Sequence, residues 1–481
     1  MRMAGKIAYS SVATAVSIAG GLLRNKIFAA FLSLGLFGIL SIGQQSLSLL
    51  SSLFAFGLPL GITTLAAGVT GKSLEEQRET VSRIVVLSLG AALLSAIVVA
   101  VLLLIDASAI SQAITARLEY AVPIGILLLS TPFMVAETCL FALLEGMGKV
   151  REIVLFKIVP VVITLPLYYV LASGYGLNGV AAGLLFSEFL LTGFALYLNR
   201  RLLVFQRSVL HVRTVFRAII KIAVLSVIVG AGWLLADFVV KRFLLQTLGE
   251  TSNGIIQSVA KITDLYPTIA LAWLTLHLFP LIARSIEDPP AVARALERTL
   301  IVAVAIIVPI IVVLFAFRGI ILELVYKKEF SIAVDYFGAM LVTGIPKVIS
   351  WVLGLALLPM GMKKQWFYST LVFIGSYLVG IKIGLDLGFE MYAIPFSMAV
   401  SWCLQAAYTL FVFHKSNVVF SAAFRGYLLG FVTLTVLIAI SIVWLPLLIV
   451  VILMYGFMMH RYGAFNELRT RYAEYRDSRT P

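Results

Sequence analysis

Apolar stretches of about 20 residues recur from one end of this chain to the other, and a helix needs roughly that length to cross about 30 Å of hydrocarbon. Inside lipid, backbone polar groups must be satisfied internally, which leaves helices and closed barrels as the spanning structures. Barrel strands would show alternating segments of about ten residues, a pattern this sequence does not display. Composition agrees with helices: of 481 residues, 61% are hydrophobic and 12% charged, with a mean hydropathy of +1.05. A soluble domain carries about twice that share of charge.

The pattern predicts fourteen spans, near 6–33, 38–67, 81–105, 119–145, 152–172, 177–198, 216–240, 252–283, 291–317, 332–359, 365–385, 391–413, 424–443 and 446–460. The first lacks a small-residue cleavage site and reads as a retained helix rather than a signal peptide. With the N-terminus in the cytoplasm, 24 of the 37 Lys and Arg fall in or beside cytoplasmic segments and six fall outside. The other seven, Arg24, Lys26, Lys157, Lys221, Lys261, Lys347 and Lys382, lie within or near the ends of spans. This bias predicts that both termini are cytoplasmic. It also accounts for most of the net charge of +14 without nucleic acid as a partner. Membrane lipids are the expected partners of the basic segments.

Cys139 and Cys403 stand apart in apolar stretches, and the four His are scattered, so neither a disulfide framework nor a metal site is expected. The fragment AAGVTGKS at 66–73 has Ala66 where a phosphate-binding loop needs glycine, and it lacks the strand and helix context. No cofactor is expected. Transport, if this chain performs it, would be coupled to H+ or Na+ rather than to ATP bound here.

Two stretches match at an offset of 214, ALLEGMGK at 142–149 and ALLPMGMK at 356–363. A second pair, YGLNGVA at 175–181 and LGFEMYA at 387–393, lies at an offset of 212. Weaker echoes are Leu34-Gly35 with Leu248-Gly249, and Pro59 with Pro280. The repeat divides the chain into an N-lobe (1–199, six spans), a basic linker (200–213) and a C-lobe (214–413, six spans), followed by a hairpin (414–460) and a basic tail (461–481). The expected fold is an all-α polytopic membrane protein with about fourteen transmembrane helices. Two parallel six-helix lobes would surround a central cavity, an arrangement found in transporters that rock two halves about a site.

An ionisable residue inside a span costs about 2.5 to 3.5 kcal/mol on insertion scales, so it should face a wet cavity or an opposite charge. Arg24 continues a small, polar stripe of Thr14, Ser17 and Gly21, whereas Lys26 lies on another face of the same helix. Asn253, Gln257, Lys261 and Asp264 form one face of the eighth span. Lys261 and Asp264 are three apart and could simply neutralise each other. Alternatively, the face lines a cavity, where Lys261 would meet an anionic substrate and Asp264 would tune it or take up a proton. Lys347 follows Pro346, which can free backbone groups and bend the tenth span. Glu137 and Glu188 are candidate proton carriers or partners of buried cations. Gln44, Gln45, Ser48 and Ser52 in the second span suit sugar hydroxyls or helix packing equally. Lys382, Asp386 and Glu390 sit near a helix end, where snorkelling is expected. Cations in a cavity imply an anionic substrate, with the Arg fork suited to phosphate.

Three segments carry a family resemblance: GGLLRNKIFAAFLSLGLFGILSIGQQSLSLLSSLFAFGLPLGIT, YGLNGVAAG, and QSVAKITDLYPTIALAWLTLHLFPLIAR with its Lys-Ile-Thr-Asp-x-Tyr core at 261–266. Over residues 6–413 the chain resembles bacterial lipid-linked oligosaccharide flippases of the O-antigen and enterobacterial common antigen type. Their superfamily also holds multidrug and toxin extruders and the peptidoglycan precursor flippase. The resemblance implies a cytoplasmic-membrane protein that moves an undecaprenyl-pyrophosphate-linked glycan to the periplasmic leaflet by alternating access. It also implies that Arg24, Lys261 and Lys347 engage the pyrophosphate, with polysaccharide polymerase and glycosyltransferases as functional partners. The last two spans depart from the twelve-span oligosaccharide flippases and resemble the peptidoglycan flippase. Competing readings are a drug or cation antiporter, which calls for an acidic, aromatic cavity, and a glycan polymerase or ligase, which calls for a sizeable external loop. A channel would need a selectivity filter, and no such repeat appears.

Overall fold

The computed structural model describes residues 3–200, 213–265, 278, 282, 285–286, 288–441 and 447–461. Most of the basic linker, the tail beyond Arg461, and the 266–277 part of the family-like motif lie outside the described residues, as does Pro280. The described residues contain helices and no strand, and nine helical stretches are long and apolar enough to cross a membrane. The chain is a multi-pass membrane protein. Each of the fourteen predicted spans is mostly helix over its described part.

Two compact units are built from this chain, 1–254 with 325–327, and 255–324 with 328–481. The first holds α1 (Met3–Phe31), α2 (Leu34–Ala55), α3 (Leu58–Val69), α4 (Leu74–Thr115), α5 (Ala121–Leu128), α6 (Thr131–Gly146), α7 (Val150–Asn199) and most of α8 (Arg213–Thr263). Its core lies where α3, α4, α6 and α7 meet, around Ile62, Val81, Leu140 and Phe156. Gly146 brings α6 against the backbone of α3, where an added Cβ would stand 2.5 Å from the Thr63 carbonyl.

Four local features depart from the hydropathy reading, each for a backbone reason. The second span is broken by left-handed Phe56 and Gly57, with a proline in the first turn of α3. The third span extends to Thr115, because Asp106 leaves helical geometry and caps the following turn through an Ala109 N–H bond of 2.8 Å. Spans five and six form one hairpin, α7, reversed at Gly176 with φ 53°. Finally, the expected outer loop containing Lys241 and Arg242 is helical. α8 runs on until Gly249, whose φ of 84° and ψ of 178° suit glycine. Those two cations are therefore helix residues, and Lys241 is buried.

The second unit contains α9 (Pro289–Ala316), all but the last residue of α10 (Arg318–Val325), α11 (Val334–Val342), α12 (Gly344–Ala356), α13 (Lys363–Asp386), α14 (Ala393–Lys415), α15 (Ala422–Ser441) and α16 (Leu447–Arg461). Trp402 packs at 4.0 Å on Phe373 and edge-on to Trp351, joining α14 to α13 and α12. The final pair is docked rather than loose: Tyr455 of α16 donates to the Ala305 carbonyl of α9 at 2.6 Å.

The repeat is visible as matched helix ends. α6 closes with left-handed Gly148 and a Lys149 N–H to Leu144 O bond, and α12 with left-handed Gly361 and a Met362 N–H to Leu357 O bond. Both are glycine-terminated caps of the Schellman type. They align at an offset of 213, one residue from the 214 read from the sequence, because the left-handed glycine fixes the register rather than the similarity of letters. The second pair keeps 212, with Gly176 and Gly388 both at positive φ.

Close backbone packing joins α2 to α8 inside the first unit. A Cβ on Gly38 would lie 2.6 Å from the Glu250 carbonyl, and one on Gly254 would overlap the Leu34 carbonyl. Gly254→Ala is therefore expected to lower stability by about 1 to 3 kcal/mol through overpacking. Gly375, which faces open space, should accept alanine with no loss. Thermal unfolding of the purified variants in detergent checks this, and equal midpoints for the two would contradict the crossing.

Candidate functional site

Lys347 lies in the first turn of α12, immediately after Pro346, where Thr343 separates α11 from α12. The positive end of a helix dipole disfavours a cation there. Two groups compensate: Lys347 Nζ donates to Asp264 Oδ1 at 2.9 Å and lies 4.8 Å from the Trp351 ring centre. The pair is asymmetric, with the Lys347 side chain 13% exposed and that of Asp264 65% exposed. Asp264 thus reaches across to α12 from the face it shares with Lys261, which is half-buried one turn earlier. All three members of this cluster belong to the second unit.

The first unit gathers the other charged candidates. Arg24 of α1 is half-buried beside α7, where its charge acts on both Tyr168 and Glu188. Phe28, one turn on from Arg24, packs edge-on against Tyr168 at 5.2 Å and holds that part of α1 in place. Glu137 of α6 is within electrostatic reach of Glu188. Arg24 Nε and Glu188 Oε2 are buried without hydrogen-bond partners. Lys26 is exposed on another face of α1.

The polar candidates divide by burial. Asn253 is fully buried and donates to the Gly38 carbonyl at 3.0 Å, which places it in the α2–α8 crossing. Gln45 is buried too, donating to the Leu234 carbonyl at 3.0 Å while its own carbonyl accepts from Lys241 at 3.2 Å. Gln44 is half-buried and Gln257 is buried. Lys382 pairs with Asp386 at 2.6 Å between two exposed side chains.

Sequence reasoning missed a second polar system in the first unit. Lys241 pairs with Asp237 at 2.8 Å. Arg242 donates to the carbonyls of Ala113 and Gln112, at 2.6 and 3.0 Å, and so caps the end of α4. Glu250 holds Arg117 at 2.6 Å and accepts from the Tyr120 hydroxyl at 2.9 Å. The i, i+4 spacing of Asp237 and Lys241 was the available signal. Among the described residues no group of three or more His, Cys, Asp or Glu could hold a metal ion.

With this geometry in view, comparison with solved structures gives the fold. No protein-family model and no curated protein sequence matches the chain. The chain is similar to an inward-facing multidrug resistance MATE transporter of the MOP superfamily, at a TM-score of 0.68 and 13% identity over 83% of this chain and 94% of that one. It is equally similar to the lipid II flippase MurJ in an inward closed conformation, at 0.68 and 16% over 95% and 98%. A third relative is a MOP superfamily transporter from Pyrococcus furiosus whose binding pocket is described as reversed in polarity, at 0.62 and 14% over 85% and 95%. The chain therefore has the MATE and MurJ fold, and these neighbours are transporters and flippases.

The Lys347 and Asp264 side chains should be energetically coupled. A double-mutant cycle with Lys347→Met and Asp264→Asn, read by thermal unfolding, is expected to give about 1 kcal/mol of coupling. Additive effects would remove the pair from the account.

Proposed function

We propose that the protein is a flippase for an anionic, pyrophosphate-bridged lipid-linked glycan in a bacterial cytoplasmic membrane, with both termini cytoplasmic. The observation that carries this reading is the charge of the candidate groups. Arg24 in the first unit, and Lys261 and Lys347 in the second, are cations on a fold shared with transporters and a flippase. A cation extruder calls for the opposite sign. Lys347 is held by an exposed carboxylate, so a phosphate can replace Asp264 without exposing an unpaired lysine during the exchange. Asp264 then serves as a resident counter-ion for the empty site. Gln44 and Gln257 are assigned to the glycan, while Asn253 and Gln45 act through helix packing.

The undecaprenyl-pyrophosphate-linked oligosaccharide of surface polysaccharide assembly is the substrate this reading favours, with glycosyltransferases supplying it and a polymerase consuming it. A lipid II-type peptidoglycan precursor is the second reading. Its support is that the similarity to MurJ extends over 95% of this chain, against 83% for the first MATE transporter, and so reaches the region of the last helix pair. Both substrates present a pyrophosphate, and the cation assignment is common to them.

Ion coupling is assigned to Glu188, whose charge faces Arg24, and to Glu137 within electrostatic reach of Glu188; the charge of this pair changes with one proton or one small cation. Transport by alternating access would then be driven by a H+ or Na+ gradient.

Complementation of glycan-export mutants at matched protein levels tests the site. Arg24→Ala and Lys261→Ala are expected to lose most export, and Lys347→Ala to lose at least as much as Asp264→Asn; full activity from both Arg24→Ala and Lys261→Ala would sink the assignment. Rescue of a lipid-precursor mutant rather than an O-antigen mutant would select the second substrate. For coupling, Glu137→Gln and Glu188→Gln in proteoliposomes should retain basal movement of the lipid and lose its acceleration by an imposed gradient. Unchanged acceleration would place coupling elsewhere.

A further inference from the structure

The two arms of α7 enclose a groove that the transport reading does not use. It has a volume of about 320 Å³ and is lined by Val159, Pro160 and Ile163 from one arm and by Phe189, Gly193 and Tyr197 among others from the second. Ile163, Phe189 and Tyr197 are each more than half exposed. The arms are antiparallel, because Gly183 packs against Tyr168 and Phe156 stacks on Phe194 at 6.5 Å. The groove therefore lies toward the open ends of the hairpin, near 150 and 199, on a helix pair that spans the bilayer. Its existence depends on position 193, where a Cβ would meet nothing within 4 Å.

One end of the groove is cationic. Arg200 follows the last turn of α7, where a cation is favoured by the helix dipole. Its guanidinium lies 3.6 Å from the ring centre of Tyr197, the groove's terminal residue. Among the described residues no carboxylate stands within 4 Å of it. Lys157 lies one turn from Pro160 on the same arm, and its charge is shared with Glu145 of α6. An apolar trough ending at Tyr197 and an arginine with no carboxylate partner among the described residues has the polarity of one lipid molecule. The trough takes the chain, and the planar fork of Arg200 takes the phosphate. A zwitterionic headgroup would bring its ammonium against Arg200, whereas an anionic headgroup meets attraction there; Lys157 is already shared with Glu145 and adds little to the choice.

We infer that the α7 groove is a binding site for one anionic phospholipid, with an acyl chain between the arms and the phosphate at Arg200. This site is independent of the substrate assignment: it concerns a resident lipid, and either outcome leaves the cation cluster untouched.

Native mass spectrometry of the full-length protein in detergent, titrated with phosphatidylglycerol and phosphatidylcholine at equal concentration, tests the inference. Wild type is expected to retain one phosphatidylglycerol with about a fivefold preference, the effect of one cation near an anionic headgroup. Arg200→Gln should bring the two lipids to near parity. Gly193→Leu, which adds a side chain at a groove position where a Cβ meets nothing within 4 Å, should lose the retained lipid while its thermal midpoint stays unchanged. Equal retention of both lipids by wild type would overturn the inference, as would Gly193→Leu retaining phosphatidylglycerol like wild type.

Discussion

A charge inside a membrane-spanning helix must have a partner, because the hydrocarbon supplies none. Much of the polar architecture here follows from that requirement. Lys347 has Asp264 and the face of Trp351; Lys241 has Asp237 and the Gln45 carbonyl; Arg24 has the charge of Glu188 nearby. These arrangements differ in how readily they can be exchanged. Lys241 is buried and has two partners, Asp237 on its own helix and the Gln45 amide of α2, which is itself held by the Leu234 carbonyl. Lys347 is held by a carboxylate that is mostly exposed, which is the feature the proposed exchange with a phosphate rests on. The same need for neutralisation thus yields a pair with a buried lysine and a second partner in one unit, and a pair whose carboxylate is mostly exposed in the other.

Backbone contacts supply the second constraint. At the α2–α8 crossing, Gly38 and Gly254 let two helices meet main chain to main chain, and the Asn253 amide finds its acceptor in the Gly38 carbonyl. Close approach through small residues is how membrane helices associate when lipid removes the hydrophobic drive between them. Around that crossing, Glu250 collects Arg117 and Tyr120, and Arg242 caps α4. Stability and site geometry therefore share residues on one helix: α8 gives Asn253 to packing and Lys261 to the charged cluster.

The helices were legible in the sequence, since twenty apolar residues have few alternatives in lipid. Their breaks were not. Phe56, Gly176 and Gly249 turn the chain through backbone angles that hydropathy does not record, and the helical stretch through Lys241 and Arg242 was hidden by their charge. The polar face of Asn253, Gln257, Lys261 and Asp264 was readable as a face, but its division between packing and the charged cluster depends on what α2 and α12 place against it. The local spacing of Lys261 and Asp264 suggested a pair within one turn. The contact made by Asp264 with Lys347 joins residues 83 positions apart, and such a contact leaves no trace in a single sequence. The repeat was visible as similar letters, yet its register is set by left-handed glycines and differs by one residue at the first pair of helix ends.

The central claim is that the cationic groups serve an anionic lipid-linked substrate. The most direct measurement is transbilayer movement of a fluorescent undecaprenyl-pyrophosphate-linked oligosaccharide in proteoliposomes, read by quenching of the outer leaflet. The account predicts protein-dependent movement that an unlabelled pyrophosphate-linked lipid competes away and an organic cation such as ethidium does not. No movement of the lipid-linked glycan, together with efficient export of ethidium by the same preparation, would contradict it.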